Sequence, residues 1–507
     1  MPQQSIPSTV QRGAAFARRG RRFSRGESVS ESTTPSAGRA DATVLKFGGT
    51  SVADAAALQR VAGVVHDAQR GTRPVVVVSA LAGGTDALLA AADAAASGDP
   101  KLMLPQLDAL LERHAEIARG LARPESAKGI GTVLARARAE IADLLERVAA
   151  EPEHQPALRD EIASYGERLS AALLTAVLLA ADVPARYVDA RHCLITDETH
   201  GRATPLPNTE QRTRAELAPL LDRRLVPVLG GYIGATLEGV TTTLGRGGSD
   251  YSAALVGAAL AAREIQIWTD VSGVLSADPR VVPGARPIPS LSYAEAAELA
   301  YFGAKVLHPK TIQPAMERDI PVRICNSHAP GDPGTVVTAR GEVRAGAVKA
   351  IAHKTGITVL QINSTRMLGA YGFLRGLFEV FERHQTVVDV VTTSEVSVSL
   401  TVDDAGSLPA IVAELQALGT VAVESGRAIV CVVGEGLRIT PGIAARVFAT
   451  IADINVSLIS QGASRVNLTF VVEETRVREA VLRLHEALFE RQGVDLGAAA
   501  AAEELAS

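Results

Sequence analysis

The sequence predicts an α/β protein: a large unit built on a mostly parallel central sheet, followed by two small α+β units. Three observations carry this. Short, fully apolar runs such as Val75–Val78 read as strands covered on both faces. Each is followed by a Gly/Ser/Thr loop and an Ala-rich helical stretch, the alternation that builds βαβ units. The tail from about residue 345 has a different texture, with an internal repeat whose period is 70 residues.

Taken in order, Thr43–Phe47 reads as a strand, Gly48–Ser51 as a loop, and the stretch from about Ala53 as a helix. Val75–Val78 runs into the loop Ser79–Thr85 and a further helix. Residues 105–150 are helical by period, and Val226–Leu229 and Ile265–Trp268 are further strands. In parallel sheets ligands sit outside the carboxyl ends of the strands, so the polar residues after each strand are the candidates for chemistry. In the tail, Gly372–Phe378 matches Gly442–Phe448, Val396–Leu400 matches Val466–Phe470, and Thr358–Ile362 matches Ala428–Val432. Each copy reads strand, helix, strand, strand, helix. The Pro- and Gly-rich stretch 327–346 reads as a linker.

Composition narrows the function. The 507 residues suit two to four domains. A balance of 51 Lys+Arg against 56 Asp+Glu, net −5, argues against nucleic-acid binding by general basicity. Cys193, Cys325 and Cys431 are too scattered for a disulfide framework or a zinc site, and suit a reducing compartment. The long apolar stretches are broken by Asp, Arg and Gly, so no membrane span is expected. Residues 1–40 hold seven Arg, no Lys, and only Glu27 and Glu31 as acids. They read as a disordered leader, a transit peptide or a misassigned start.

Two glycine loops stand out. Lys46 ends an apolar strand and precedes Gly48, Gly49, Thr50 and Ser51. Glycines let backbone amides approach an anion, and a lysine there adds a full charge. Gly245–Asp250 is the second loop, opening an Ala-rich helix; two such loops suit a polyphosphate held from two sides. Asp250 reads either as a helix N-cap or as a group orienting a lysine or metal. Asp270 and Asp278 follow a strand, where carboxylates suit Mg²⁺ beside phosphates. Lys305 is a further cation for phosphate or a solvated helix lysine. Glu167 reads as an end-cap in a first helical turn or as a carboxylate for a substrate ammonium.

The segments Lys46–Ala53, Thr241–Asp250, Trp268–Val271 and Phe302–Pro309 resemble those of aspartate kinases, and the similarity runs from about 42 to 490. The resemblance implies an amino-acid-kinase domain with a mostly parallel central sheet, followed by two ferredoxin-like α+β ACT domains. The expected boundaries are 1–41 leader, 42–330 catalytic domain, 331–352 linker, 353–425 first ACT region, 426–492 second ACT domain and 493–507 Ala-rich tail. Met367, Leu368 and Gly372–Leu374 look most like the lysine-inhibited, single-function branch. There the first ACT unit is inserted within the second, which would put Thr358–Ile362 in the distal unit.

The resemblance also implies roles. Lys46 would contact the transferring phosphate and Asp250 would orient it. Thr85, Glu167 and Arg246 would bind L-aspartate, Glu167 at its ammonium and Arg246 at its α-carboxylate. Gly48, Gly49, Thr50, Ser51, Thr269, Asp270, Leu275, Arg280, Lys305 and Val306 would join Lys46 in binding ATP, with Mg²⁺ carried by ATP rather than by a protein site. Leu275 stands where the family often has an aromatic residue. Met367, Ala370, Phe373, Leu374, Val388, Asp389, Ser394 and Glu395 would bind an amino-acid effector, lysine by the branch resemblance. The implied protein is a cytoplasmic homodimer or tetramer, assembled through its ACT domains, that makes 4-phospho-L-aspartate as the first step of lysine, threonine and methionine synthesis. A non-catalytic amino-acid sensor on the same scaffold and a kinase for another small acid remain as alternatives.

The expected step needs no general base, because the β-carboxylate of aspartate is already anionic. Its difficulty is charge: like unit charges ~4 Å apart repel by ~4 kcal/mol at an effective dielectric of 20. Cations, glycine-loop amides and Mg²⁺ would offset that repulsion.

Overall fold

The computed structural model describes residues 41–303, 307, 309–340, 348–369, 371–404 and 406–490. Residues 1–40, the whole expected tail 493–507, Lys305, Val306 and Ala370 lie outside the described residues.

The first unit is a three-layer α/β sandwich. Its strands are β1 (Ala42–Phe47), β2 (Arg73–Val78), β3 (Ala185–Val188), β4 (Val226–Gly230), β5 (Ile233–Ala235), β6 (Thr241–Thr243), β7 (Glu264–Thr269), β8 (Ser290–Ser292), β9 (Val322–Asn326) and β10 (Thr335–Thr338). The main sheet runs β3-β4-β2-β1-β7-β9-β10-β8, and β5 pairs with β6 apart from it. Pairing is parallel from β3 through β9; β10 lies antiparallel to β9. Val44 and Leu45 face opposite layers and both are fully buried, as the continuous apolar run required.

One face is covered by α1 (Ala55–Ala68), α2 (Gly84–Ala96), α3 (Leu104–Leu121), α4 (Pro124–Ala150) and α5 (Gln155–Ala180). The other is covered by α6 (Thr209–Asp222), α7 (Gly248–Leu260), α8 (Tyr293–Tyr301) and α9 (Gln313–Glu317). The first helix begins two residues later than expected because Gly49–Val52 forms a 3₁₀ turn and Asp54 caps α1, accepting from Ala57 N at 2.8 Å. The segment Pro152–Ala180 is long and apolar enough by composition to cross a membrane, and its apolar window is 83% buried inside the fold.

The tail forms one further sheet, β12-β13-β11-β14-β16-β15, from β11 (Ala350–Asn363), β12 (Val391–Thr393), β13 (Ser397–Val402), β14 (Thr420–Val433), β15 (Val456–Gln461) and β16 (Asn467–Glu473). Its helices are α10 (Phe373–Arg383), α11 (Leu408–Leu415), α12 (Ile443–Thr450) and α13 (Glu474–His485). The long strands β11 and β14 are shared between the two copies. Thr358–Asn363 pairs with β13, so the expected placement of Thr358–Ile362 in the distal copy is corrected. The distal copy instead receives Ala350–Lys354, paired with Ile429–Val433, which in turn pairs with β16. A second correction concerns the linker: Thr335–Thr338 forms β10 within the main sheet.

The apolar run Ala428–Val433 is continuous because both of its faces are covered. Ala428, Val430 and Val432 meet the distal helices, while Ile429, Cys431 and Val433 join the core of the first unit. Ala277 and Val282, from the loop after β7, are part of that distal core.

Candidate active site

The parallel strands β1, β2 and β4 end side by side, and their loops meet the start of α7 around a cleft of about 490 Å³. Lys46, Gly49, Ala80, Thr85, Glu167, Arg246 and Asp250 all line it. Residues more than 200 positions apart are thus gathered at one sheet edge, where helix N-termini and loop amides present positive potential.

Lys46 Nζ lies 2.6 Å from Asp250 Oδ1, and both side chains are mostly buried. Asp250 occupies the first turn of α7, but the N-cap position belongs to Gly247, so the capping alternative for Asp250 falls away. Gly247 has φ +73°, and a Cβ there would stand 2.7 Å from Thr311 Cγ2. Gly245 has φ +75°, with its Cβ position 3.0 Å from Gly201 O. Both are turns that only glycine makes without strain.

Glu167 lies in the middle of α5, not in a first helical turn. It is 3% exposed and packs under Gly230. Its Oε1 accepts from Ala80 N at 3.3 Å and Thr85 Oγ1 at 3.4 Å, while the buried Oε2 has no partner. Burial pushes its pKa up to about 8, against the opposing pull of the Ala80 and Thr85 hydrogen bonds. A buried carboxyl with a spare oxygen facing a cleft is suited to a ligand cation.

Other expected residues sit differently. Gly48 N donates to Trp268 O at 3.2 Å, and the buried Ser51 hydroxyl bonds Ser327 Oγ at 2.9 Å and Trp268 O at 3.3 Å. These stitch the loop to β7 and β9, and Thr50 is exposed. Only Gly49 of that loop lines the cleft. Thr269 ends β7 and Asp270, Leu275 and Arg280 follow it; all four stand apart from the cleft lining. Thr269 Oγ1 donates to Asp270 Oδ1 at 3.1 Å, and Arg280 is paired with Asp278 at 2.6 Å. Leu275 is half-buried. The next residue, Ser276, bonds His485 Nε2 of α13 at 2.8 Å.

In the tail, the Asp389 side chain is 1% exposed. It accepts from Lys354 Nζ at 3.1 and 3.2 Å and from Tyr301 OH at 2.7 Å. An expected effector ligand is therefore already tied to α8 of the first unit. Ser394 Oγ lies 2.6 Å from Ser397 Oγ, and Glu395 and Leu374 are exposed. Met367, Phe373 and Val388 pack against the proximal core.

Sequence reasoning missed two groups. Asp160, buried on α5, collects bonds from residues 41 and 83 positions away, and no motif marks it. Tyr301 ends an ordinary helix pattern, and only packing brings it to Asp389.

Comparison with known proteins gives the family. Residues 41–326 match the amino acid kinase family and residues 430–488 match an ACT domain. The lysine-sensitive aspartokinase 3 of Escherichia coli is 40% identical over 461 residues, covering 88% of this chain and 99% of that protein. Chloroplastic aspartokinase 1 of Arabidopsis thaliana is 38% identical, covering 88% of this chain and 80% of the relative. The crystal structure of E. coli aspartokinase III in complex with aspartate and ADP (R-state) superposes with a TM-score of 0.75 at 39% identity, over 88% of this chain and 99% of that one. The same enzyme in complex with lysine and aspartate (T-state) gives 0.76 at 39% identity, over 89% and 100%. Sequence and fold agree, and the chain belongs to the aspartokinase family.

Proposed function

We propose that the protein transfers the γ-phosphoryl group of ATP to the β-carboxylate of L-aspartate, forming 4-phospho-L-aspartate and ADP. The observation that carries this reading is the shared cleft, with a lysine held by a carboxylate at one side and a buried, half-satisfied glutamate at the other.

A β-carboxylate oxygen forms the new bond to phosphorus as the bond to the β–γ bridging oxygen breaks. Lys46, oriented by Asp250, would stabilise charge on the transferred group. Glu167 takes the substrate ammonium and Arg246, at the cleft mouth, its α-carboxylate; Thr85 fixes the Glu167 carboxylate. Gripping both ends leaves the β-carboxylate as the group free to react. Mg²⁺ would enter with the triphosphate rather than at a site of the protein's own. When bound, that ion supplies charge neutralisation at the phosphate oxygens. Gly49 borders the cleft, and Thr269, Asp270, Leu275 and Arg280 form the β7 side on which the nucleoside would rest.

We assign the catalytic unit to 42–338 and the regulatory unit to the tail sheet, where lysine is the effector. Its ammonium would compete with Lys354 and Tyr301 for Asp389, so occupancy would be felt by α8. Exposed Leu374, Val391 and Val396 of the proximal copy suit assembly of a homodimer or tetramer through this sheet. A cytoplasmic setting agrees with three free, buried cysteines. The test is trapping of the acyl phosphate as its hydroxamate, with and without lysine. Absence of aspartate-dependent ADP release would refute the reading.

A further inference from the structure

Asp160 sits on α5, two helical turns before Glu167 and therefore on the same face of the helix. It is 4% exposed. Its Oδ1 accepts from Thr243 Oγ1 at 2.6 Å. Its Oδ2 accepts from Thr243 N at 3.1 Å, Gly201 N at 3.0 Å and His200 Nδ1 at 2.9 Å. One carboxylate thus ties three elements: α5, the loop carrying His200 and Gly201, and β6. The last two are also joined directly, by Ala203 N to Thr243 O at 2.8 Å.

Thr243 lies two residues before Gly245, and Gly245 approaches Gly201 so closely that a Cβ would stand 3.0 Å from its carbonyl oxygen. Gly201, Gly245 and Arg246 line the same cleft as Glu167. Asp160 therefore spans from the helix that carries the ammonium partner to the loop that carries the α-carboxylate partner.

We propose that Asp160 is a positioning residue for aspartate: it sets the separation of Glu167 and Arg246 and so the length of substrate the cleft accepts. The proposal rests on the aspartate kinase reading above. A carboxylate matches this set: Oδ2 takes the Thr243 and Gly201 amides and His200 Nδ1, and Oδ1 takes the Thr243 hydroxyl. An amide keeps these partners only by reversing the Thr243 hydroxyl, which must then accept, and it replaces the charge-assisted bonds to Gly201, Thr243 N and His200 with weaker neutral ones. The lysine–Asp250 side of the cleft makes no bond to Asp160, so the nucleotide half should not register its loss.

The experiment is steady-state kinetics of the full chain, with aspartate and ATP varied separately. Asp160→Asn is expected to raise KM for aspartate at least tenfold, with KM for ATP within threefold of the parent. Should that variant not fold, Thr243→Val decides: it removes one donor, and is expected to raise KM for aspartate several-fold, with Thr243→Ser restoring the parental value. Aspartate and ATP constants that rise together, or an aspartate constant that does not move, would overturn the positioning role. A parent protein without aspartate-dependent turnover would instead overturn the functional reading on which it stands.

Discussion

Replacing Glu167 by glutamine should weaken aspartate binding while stabilising the empty protein, because the same burial that suits the carboxylate to an ammonium makes it costly without one. With the carboxyl held at about 8 by burial, roughly one molecule in ten carries the charge at pH 7 and one in a hundred at pH 6. Aspartate needs the charged form, so its apparent KM should fall about tenfold from pH 6 to 7, about fivefold from 7 to 8, and then level off. The glutamine variant keeps the Ala80 bond but has no charge to titrate, so its KM should be flat over that range. At pH 8 it should bind aspartate about 10- to 150-fold more weakly, the loss of a charged hydrogen bond of about 1.5–3 kcal/mol.

The stability effect has the opposite sign. The folded pKa lies above the ordinary 4.5, so the native state binds more protons than the unfolded chain between those values. Stability is therefore lost as pH rises from 4.5 toward 8, by at most about 3 kcal/mol at pH 7. Glutamine removes this loss, and the variant should gain on the parent in urea unfolding as pH rises from 5 to 8. Hydroxamate trapping across pH 6–9 reads the first effect. A parental KM independent of pH, or a glutamine variant that retains the slope, would refute the assignment of Glu167 to the substrate ammonium.

Three further outcomes follow from the geometry. Lys46→Ala should lower kcat by about 10²–10³, the cost of losing one preorganised donor, while ATP binding measured by calorimetry changes little. Gly247→Ala forces a Cβ into Thr311 at φ +73° and adds about 1–2 kcal/mol of left-handed backbone strain; both Tm and kcat should drop, with partial recovery of Tm on adding Thr311→Ser. Tyr301→Phe removes a competing donor from Asp389, worth about 0.5–1.5 kcal/mol, so lysine should inhibit at about 2- to 12-fold lower concentration. Unchanged lysine sensitivity would place the effector ammonium elsewhere.

Much of this molecule could be read from local pattern. Val75–Val78 announced a parallel strand because such strands must be apolar on both faces, and Ile265–Trp268 followed from the alternation of strands with helices. Gly245 and Gly247 announced turns because few other residues adopt their backbone. The repeat marked the two tail units. Those features rest on periodicity and turn chemistry, which neighbouring residues encode by themselves.

Partnership was decided elsewhere. Lys46 meets Asp250 because β1 ends beside the start of α7. Glu167 and Asp160 became buried carboxylates of different kinds because one faces an open cleft and the other four donors. Ala350–Lys354 completes the distal copy through a strand shared along its length with Thr420–Val433. Asp389 is tied to the catalytic unit by a tyrosine 88 residues away. Sequence by itself determined the elements, the glycine turns and the cast of charged residues. Which charges lie out of water, and against which partners, was left to the tertiary structure, because burial and hydrogen bonding are set by how whole layers pack.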